Sequence, residues 1–370
     1  MNHMGSLEIS ELSTSPVTIN RSEPVSKAIG LLQKTKAYEV FVIDEKEVLG
    51  IVTIRDLLKA KHILTGKIAS LMTRIPVLTR HDSVGDAAKI MTDYRVRAVP
   101  IVEDGELVGQ VAASSICNSM VQAGRMNLSA GRVMTPNPMV LQEDDLAAKA
   151  RTVMIQKNID HLPVLRGRDI VGIVTSDALV FRMTPSERIG ADSLVAERQR
   201  RLELKVSGLM AADPVTSTPD TDFSQVIKEM NRRRTTYSLV AVWGELQGII
   251  TYRDCVRLLV TPVTEAVPIS IVGLPDDPFE GQVARTKFER VVKRLARSLP
   301  NLLEARSVIR TSEKTGQRRR YEVEVALITP SRTISFRSSG WSLPAIYDEL
   351  SNRMKRLTTK KLKKRRLRPE

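Results

Sequence analysis

Four short segments punctuate this chain in the same way: Leu12-Ser-Thr-Ser-Pro16-Val, Leu71-Met-Thr-Arg-Ile-Pro76-Val, Val133-Met-Thr-Pro-Asn-Pro138-Met and Leu209-Met-Ala-Ala-Asp-Pro214-Val. Their prolines stand 60, 62 and 76 residues apart. A self-similar period of this length means one small supersecondary unit written four times, each copy too small to bury a core alone. In the first copy, Ser22-Glu23-Pro24 has the composition of a helix start, and Val25, Ala28, Ile29 and Leu32 then recur at the spacing of one helix face. Two apolar runs follow, Glu39 to Asp44 and Val48 to Thr53, separated by a turn, and a second helix opens near Asp56. Each unit is therefore β-α-β-β-α and is expected to pair with a neighbour, giving two pairs.

The punctuation and element order resemble the cystathionine-β-synthase (CBS) domain. The copies are placed at residues 7–62, 66–122, 128–184 and 206–262, with a charged helical linker over 185–205. The family's Gly-x-x-Thr-x-x-Asp segment stands here as Gly50-Ile-Val-Thr53-Ile-Arg55-Asp56 and Gly248-Ile-Ile-Thr251-Tyr-Arg253-Asp254. The resemblance implies paired repeats with clefts that bind adenosine nucleotides: ATP, ADP or AMP as ligand, with no cofactor required. Strand-to-helix junctions offer free backbone N–H groups to a phosphate. Asp56 and Asp254 are then expected to hold ribose hydroxyls, and Arg55 and Arg253 to meet phosphates. The same Thr-x-x-Asp pattern also serves as a helix cap, which any sequence could keep for stability alone. Repeat two reads Gly109-Gln-Val-Ala112 and lacks both the Thr and the Asp. Repeat three, with Thr175 and Asp177, brings the acid one residue early and ranks as a possible contributor.

Charge divides the chain. Residues 265–370 hold 24 Lys and Arg against 12 Asp and Glu, whereas the first 264 residues hold 33 against 30. A basic field at one end is the footprint of a polyanion-binding module. The hydrophobic pattern there predicts β-α-β-β-β-α over 265–357, with a basic tail at 358–370. It runs through a strand at Val267 to Ile271, a helix over about 279–298, strands at Ala305 to Thr311, Tyr321 to Leu327 and Arg332 to Ser338, and a last helix from Ser342. The fold class is thus α+β throughout. The order, with Thr333-Ile-Ser-Phe-Arg-Ser-Ser-Gly340 and Leu343-Pro-Ala-Ile-Tyr-Asp-Glu-Leu350, resembles the ribosome hibernation-promoting factor and ribosome-associated inhibitor A family.

That second resemblance implies a non-catalytic translation-silencing factor docking on the small ribosomal subunit, with possible ribosome or self dimerisation. Its rRNA contacts would be Arg290, Lys293, Arg294 and Arg297 on the first helix, then Arg353, Lys355, Arg356, Lys360, Lys361, Lys363, Lys364, Arg365 and Arg366. Few aromatics are free to stack on bases, so backbone and shape recognition is expected, and Trp341 is placed in a packed corner. Two alternatives stay open: a nucleotide-sensing regulatory subunit of a partner enzyme, and a double-stranded RNA binder. His3, His62, His81 and His161 form no ligand spacing, and neither Cys117 nor Cys255 has a nearby His partner, so neither catalysis nor a metal site is expected. The cysteines lie too far apart in sequence to suggest a disulfide framework. With no secretory leader and no apolar run of membrane-spanning length, a cytoplasmic location with no membrane partner is expected.

Overall fold

The computed structural model describes residues 9–60, 62–63, 66–124, 128–184, 200–260, 267–275, 277–299, 302–315, 318–330 and 332–366. The chain divides into two compact units. One is the repeat array to residue 262; the other is residues 263–370 together with the short segments 218–220 and 241–247. Most of the linker, 185–199, lies outside the described residues, and residues 200–205 lead into repeat four.

Repeat one follows its sequence pattern closely. The helix Val25–Thr35 buries Val25, Ala28, Ile29 and Leu32, and it stops at Lys36 in the left-handed region, φ 58°. The strand Thr18–Asn20 runs parallel to Glu39–Asp44, which pairs antiparallel with Glu47–Thr53. In repeat two, helix Val84–Tyr94 starts on a reciprocal cap between Ser83 and Asp86, and strands Ala98–Glu103 and Glu106–Ala112 form a hairpin. Repeats three and four merge into a seven-stranded sheet, in which Asp169–Thr175 lies beside Glu245–Thr251.

The two recurring motifs meet one another, and that contact defines the pairs. Ile51 bridges Thr73 of repeat two, and Ser13–Thr14 of repeat one pairs with Gln110 and Val111 of repeat two. Likewise Ile173 bridges Ala211 of repeat four, and Thr135–Pro136 of repeat three pairs with Gly248 and Ile249 of repeat four. Each repeat's Met-Thr segment or its counterpart thus lies across the Gly-x-x-Thr strand of its partner. The glycine is needed for that crossing: a Cβ on Gly248 would sit 2.5 Å from Met134 Sδ, and one on Gly50 would sit 2.5 Å from the Thr73 carbonyl.

Helices join the repeats in the other direction. One core gathers Val84, Ala87, Met91, Ile116 and Cys117 of repeat two with Phe223, Val226, Ile227, Cys255 and Val256 of repeat four. The other gathers Val25, Ile29, Leu32 and Leu57 of repeat one with Ala147, Ala150, Met154 and Leu179 of repeat three. Cys117 and Cys255, distant in sequence, are brought together in the first core as buried free thiols; burial and the neighbouring Cys255 push the Cys117 thiol up.

The second unit has the element order read from its hydrophobic pattern. Strands Ile269–Val272, Glu304–Thr315, Arg318–Ile328 and Thr333–Gly340 form a sheet in chain order, the first pair parallel and the others antiparallel. Helix Pro278–Ser298 starts on an Asp277 cap with proline in the first turn, where its missing N–H has no consequence. Phe288, Val292 and Leu295 on that helix, with Leu343, Tyr347, Leu350 and Met354 on helix Leu343–Arg366, cover Tyr321, Val323 and Val325 of the sheet. One expectation is corrected: Trp341 is 49% exposed, because it sits in the turn after the last strand and Leu343 takes the buried position two residues on.

Candidate functional site

A cavity of about 490 Å³ opens where the Gly-x-x-Thr strand of repeat four meets the start of repeat three. That size lies in the range of small-molecule sites. Thr251, Arg253 and Asp254 line it, together with Thr135, Asn137 and Met139 from repeat three and Asn158, Asp160 and His161 from the turn after its first helix. Arg95 and Thr92 of repeat two and Arg257 complete a mixed polar and basic wall. The Asp254 carboxylate is already well satisfied. It accepts from the Thr251 N–H and Oγ1, each at 2.8 Å, and from Thr135 Oγ1 at 2.7 Å, and it pairs with Arg257 at 3.1 Å. Cap and cavity wall are the same residue here, so the two readings of the motif coincide in repeat four.

In repeat one they separate. Thr53 and Asp56 form a reciprocal cap on the short helix Ile54–Leu57: Asp56 accepts from Thr53 N–H at 3.0 Å and from Thr53 Oγ1 at 2.6 Å, and Thr53 Oγ1 accepts from Asp56 N–H at 3.2 Å. Lys59 closes the other carboxylate oxygen at 2.6 Å. Arg55, expected at a ligand phosphate, instead turns inward; its side chain is 4% exposed and pairs with Asp160 at 2.9 Å. In repeat three, Thr175 caps helix Ser176–Met183 through the Ala178 N–H, and Asp177 accepts from Tyr38 Oη of repeat one at 3.0 Å.

At the middle of the array lies a charged cluster that the motif search missed. Asp160, 4% exposed, faces three guanidinium groups from three other repeats: Arg55 at 2.9 Å, Arg97 at 3.1 Å and Arg253 at 3.7 Å. Ser176 Oγ donates to the second Asp160 oxygen at 3.1 Å. Arg97 stacks on the Tyr38 ring, 3.5 Å from its centroid, and its backbone N–H donates to Glu39 at 2.8 Å. His161 Nε2 and Thr236 Oγ1 are 2.9 Å apart. Burial works to raise the Asp160 carboxyl, but Arg97, Arg55 and Arg253 outweigh it and hold the group well below the ordinary carboxylate range. Burial pushes Glu39 up to about 7 against the opposing pull of Arg97, and burial followed by Arg97 drives His161 well below its usual value. Arg55 Nε and both terminal nitrogens of Arg97 are buried without an aligned hydrogen-bond acceptor.

The backbone shows how two members of this cluster, Arg97 and Asp160, come to equivalent places in their repeats. Lys36, Arg95, Asn158 and Arg234 all have positive φ, and each stands just before its repeat's longer hairpin. The residues two and three places later are Tyr38-Glu39, Arg97-Ala98, Asp160-His161 and Thr236-Tyr237. Aligning the repeats on these left-handed turns, which Asn tolerates well and Lys or Arg less so, places mostly polar groups at one equivalent inward point.

The basic residues of the C-terminal unit fall into two groups. Arg290, Lys293 and Arg294 are exposed on helix Pro278–Ser298. On the last helix Arg353 and Arg356 are exposed and Lys355 is half-buried; Arg353 donates to the Arg337 carbonyl at 2.6 Å. The backbone is helical to Arg366, but the side chains of Arg297, Lys360, Lys361, Lys363, Lys364, Arg365 and Arg366 lie outside the described residues. Of the aromatics, Phe288, Tyr321 and Tyr347 are buried, and Phe279, 77% exposed, joins Trp341 at the surface. Among the described residues no group of His, Cys, Asp or Glu could hold a metal ion, and no helix is long and apolar enough to cross a membrane.

The sequence profile of the CBS domain matches residues 9–63, 68–121, 130–184 and 206–261. An uncharacterised protein of Methanocaldococcus jannaschii, MJ1404, is 27% identical over 288 residues, covering 75% of this chain and 68% of its own length. The SNF1-related protein kinase regulatory subunit gamma-1-like of Arabidopsis thaliana is 24% identical over 208 residues, half of this chain and 46% of that one. The crystal structure of protein MJ1225 of M. jannaschii superposes with a TM-score of 0.62 at 16% identity, covering 68% of this chain and 99% of the other, and shares the fold.

Proposed function

The chain belongs to the CBS-domain family, and on that premise we propose that it is a non-catalytic regulatory protein that binds an adenine nucleotide between repeats three and four and passes that occupancy to a protein partner. The carrying observation is the cavity that gathers Thr251, Arg253 and Asp254 with Thr135 and Asn137 in one wall. It is roomy, mixed in polarity and basic on balance: Arg95, Arg253 and Arg257 face Asp160 and Asp254, while His161 is held neutral. An adenosine bearing phosphate fits that chemistry, and AMP, ADP and ATP are the ligands to try. The name of the kinase regulatory relative supports the partner half of the reading. Calorimetry with each nucleotide tests it. Met139→Trp, which places an indole at the exposed rim of the cavity, should abolish binding without lowering Tm. Equal binding by wild type and M139W would remove this cavity from consideration.

A second reading, ribosome docking through the C-terminal unit, has one specific support, the exposed basic face of Arg290, Lys293 and Arg294. The matched family residues end at 261, so that face stands on its charge alone, and the comparisons favour the regulatory reading. Sucrose-gradient sedimentation of lysate with and without nucleotide separates the two. Comigration with small subunits, lost on deleting residues 265–370, would restore the ribosomal reading.

A further inference from the structure

Three cations converge on Asp160, one from each of the other three repeats, and the carboxylate alone does not satisfy them. Arg55 and Arg97 keep buried N–H groups without an aligned acceptor, although Arg55, Arg97 and Asp160 are all nearly inaccessible to water. Buried guanidinium donors are ordinarily met by carboxylate or phosphate oxygens, often two at a time. Asp160 also lines the cavity, beside Arg253, whose side chain is 22% exposed and is the cluster's most accessible cation. An anionic group entering from the cavity would meet Arg253 first and the Asp160 carboxylate immediately behind it.

Building on the nucleotide reading, we infer that Asp160 is a specificity-determining residue: a built-in anion that occupies the arginine cluster in place of further ligand phosphates and so restricts the cavity to adenosine ligands bearing a single phosphate. One phosphate can reach Arg253, Arg95 or Arg257 at the open side. A second or third, directed toward the centre, would be pressed against a carboxylate that Arg55 and Arg97 hold ionised and in place. Like charges at such range in a poorly hydrated interior repel strongly. Because the restraining cations come from repeats one and two, the same residue makes the selectivity of the second pair depend on the first.

The test is calorimetry of full-length protein with adenosine, AMP, ADP and ATP, without magnesium so that the phosphates carry their full charge. Wild type should bind AMP at least about tenfold more tightly than adenosine or ATP, the equivalent of one hydrogen bond to a charged group. Asp160→Asn should shift the AMP-to-ATP ratio toward ATP by about tenfold. Should the excess buried charge prevent that variant from folding, the double variant Arg55→Met/Asp160→Asn, which removes one buried cation together with the anion, supplies the second arm and should show the same shift of the AMP-to-ATP ratio toward ATP. Equal affinity of wild type for AMP and ATP, or an unchanged ratio in a folded D160N or in the folded double variant, would each overturn the inference. Failure of wild type to bind any of the four ligands would instead defeat the nucleotide reading itself.

Discussion

Asp56 and Asp254 occupy the same motif position, yet their replacement by alanine should have different consequences. Asp56 closes a cap whose donors, Thr53 N–H and Thr53 Oγ1, are buried, and it also holds Lys59. Loss of such a cap costs about 1 kcal/mol, and leaving buried donors without an acceptor adds about 1–3 kcal/mol. The sum, about 2–4 kcal/mol, corresponds to a Tm lowered by roughly 5–15 °C in a unit of this size. Asp254 accepts from Thr251 N–H, Thr251 Oγ1 and Thr135 Oγ1 and pairs with Arg257, so its removal should cost at least as much. Only Asp254 also faces the cavity. Thermal melts and calorimetry on both variants, below the melting range, separate the effects: D56A should melt early and bind nucleotide as wild type does, whereas D254A should melt early and bind at least about tenfold more weakly. The reasoning fails if D56A loses binding with an unchanged Tm, or if D254A binds normally.

Other outcomes follow from the same geometry. Glu39 is raised to about 7 from an ordinary 4.5, so the folded protein holds a proton that the unfolded chain has released between those values, and its contribution to stability declines as pH rises through the window. Glu39→Gln should therefore stabilise the protein relative to wild type by up to about 3 kcal/mol above pH 7 and by little near pH 4.5. The opposite slope of His161 is common to both proteins and cancels in the difference; a constant difference across denaturant titrations at four pH values would refute this. Gly248→Ala forces a methyl group against Met134 Sδ and the Thr135 carbonyl and should cost about 1–3 kcal/mol, read as a lower Tm; an unchanged melt would contradict the tight crossing. On the ribosomal reading, reversing charge at Arg290, Lys293 and Arg294 should weaken binding to a structured RNA and flatten the dependence of log K on log salt by about 2 to 3. An unaltered slope in filter binding would show that this face does not meet phosphates.

Much of the architecture was legible because each repeat is locally consistent. Val25, Ala28, Ile29 and Leu32 announce a helix face by spacing, and Ser22-Glu23-Pro24 announces its start by composition. Trp341 was misplaced because exposure at a turn depends on which neighbour fills the corner, and Leu343 does so. Thr251, Arg253 and Asp254 were visible as a motif, but whether a motif caps a helix, lines a cavity or does both is decided by what crosses it. In repeat four that is Thr135; in repeat one the arginine is turned to Asp160. The central cluster was not found because its members come from two different places in the repeat: Arg55 and Arg253 share the motif's arginine position, whereas Arg97 and Asp160 share only the place two residues after a left-handed turn that the sequence does not announce.

The exchange of strands within pairs and the sharing of helices between pairs leave every repeat bonded to at least two others through unlike surfaces. Excising one would therefore orphan a strand in one neighbour and strip the apolar floor from another. Proteolytic nicking between repeats should accordingly leave the fragments associated, held by the paired strands and the shared helical cores.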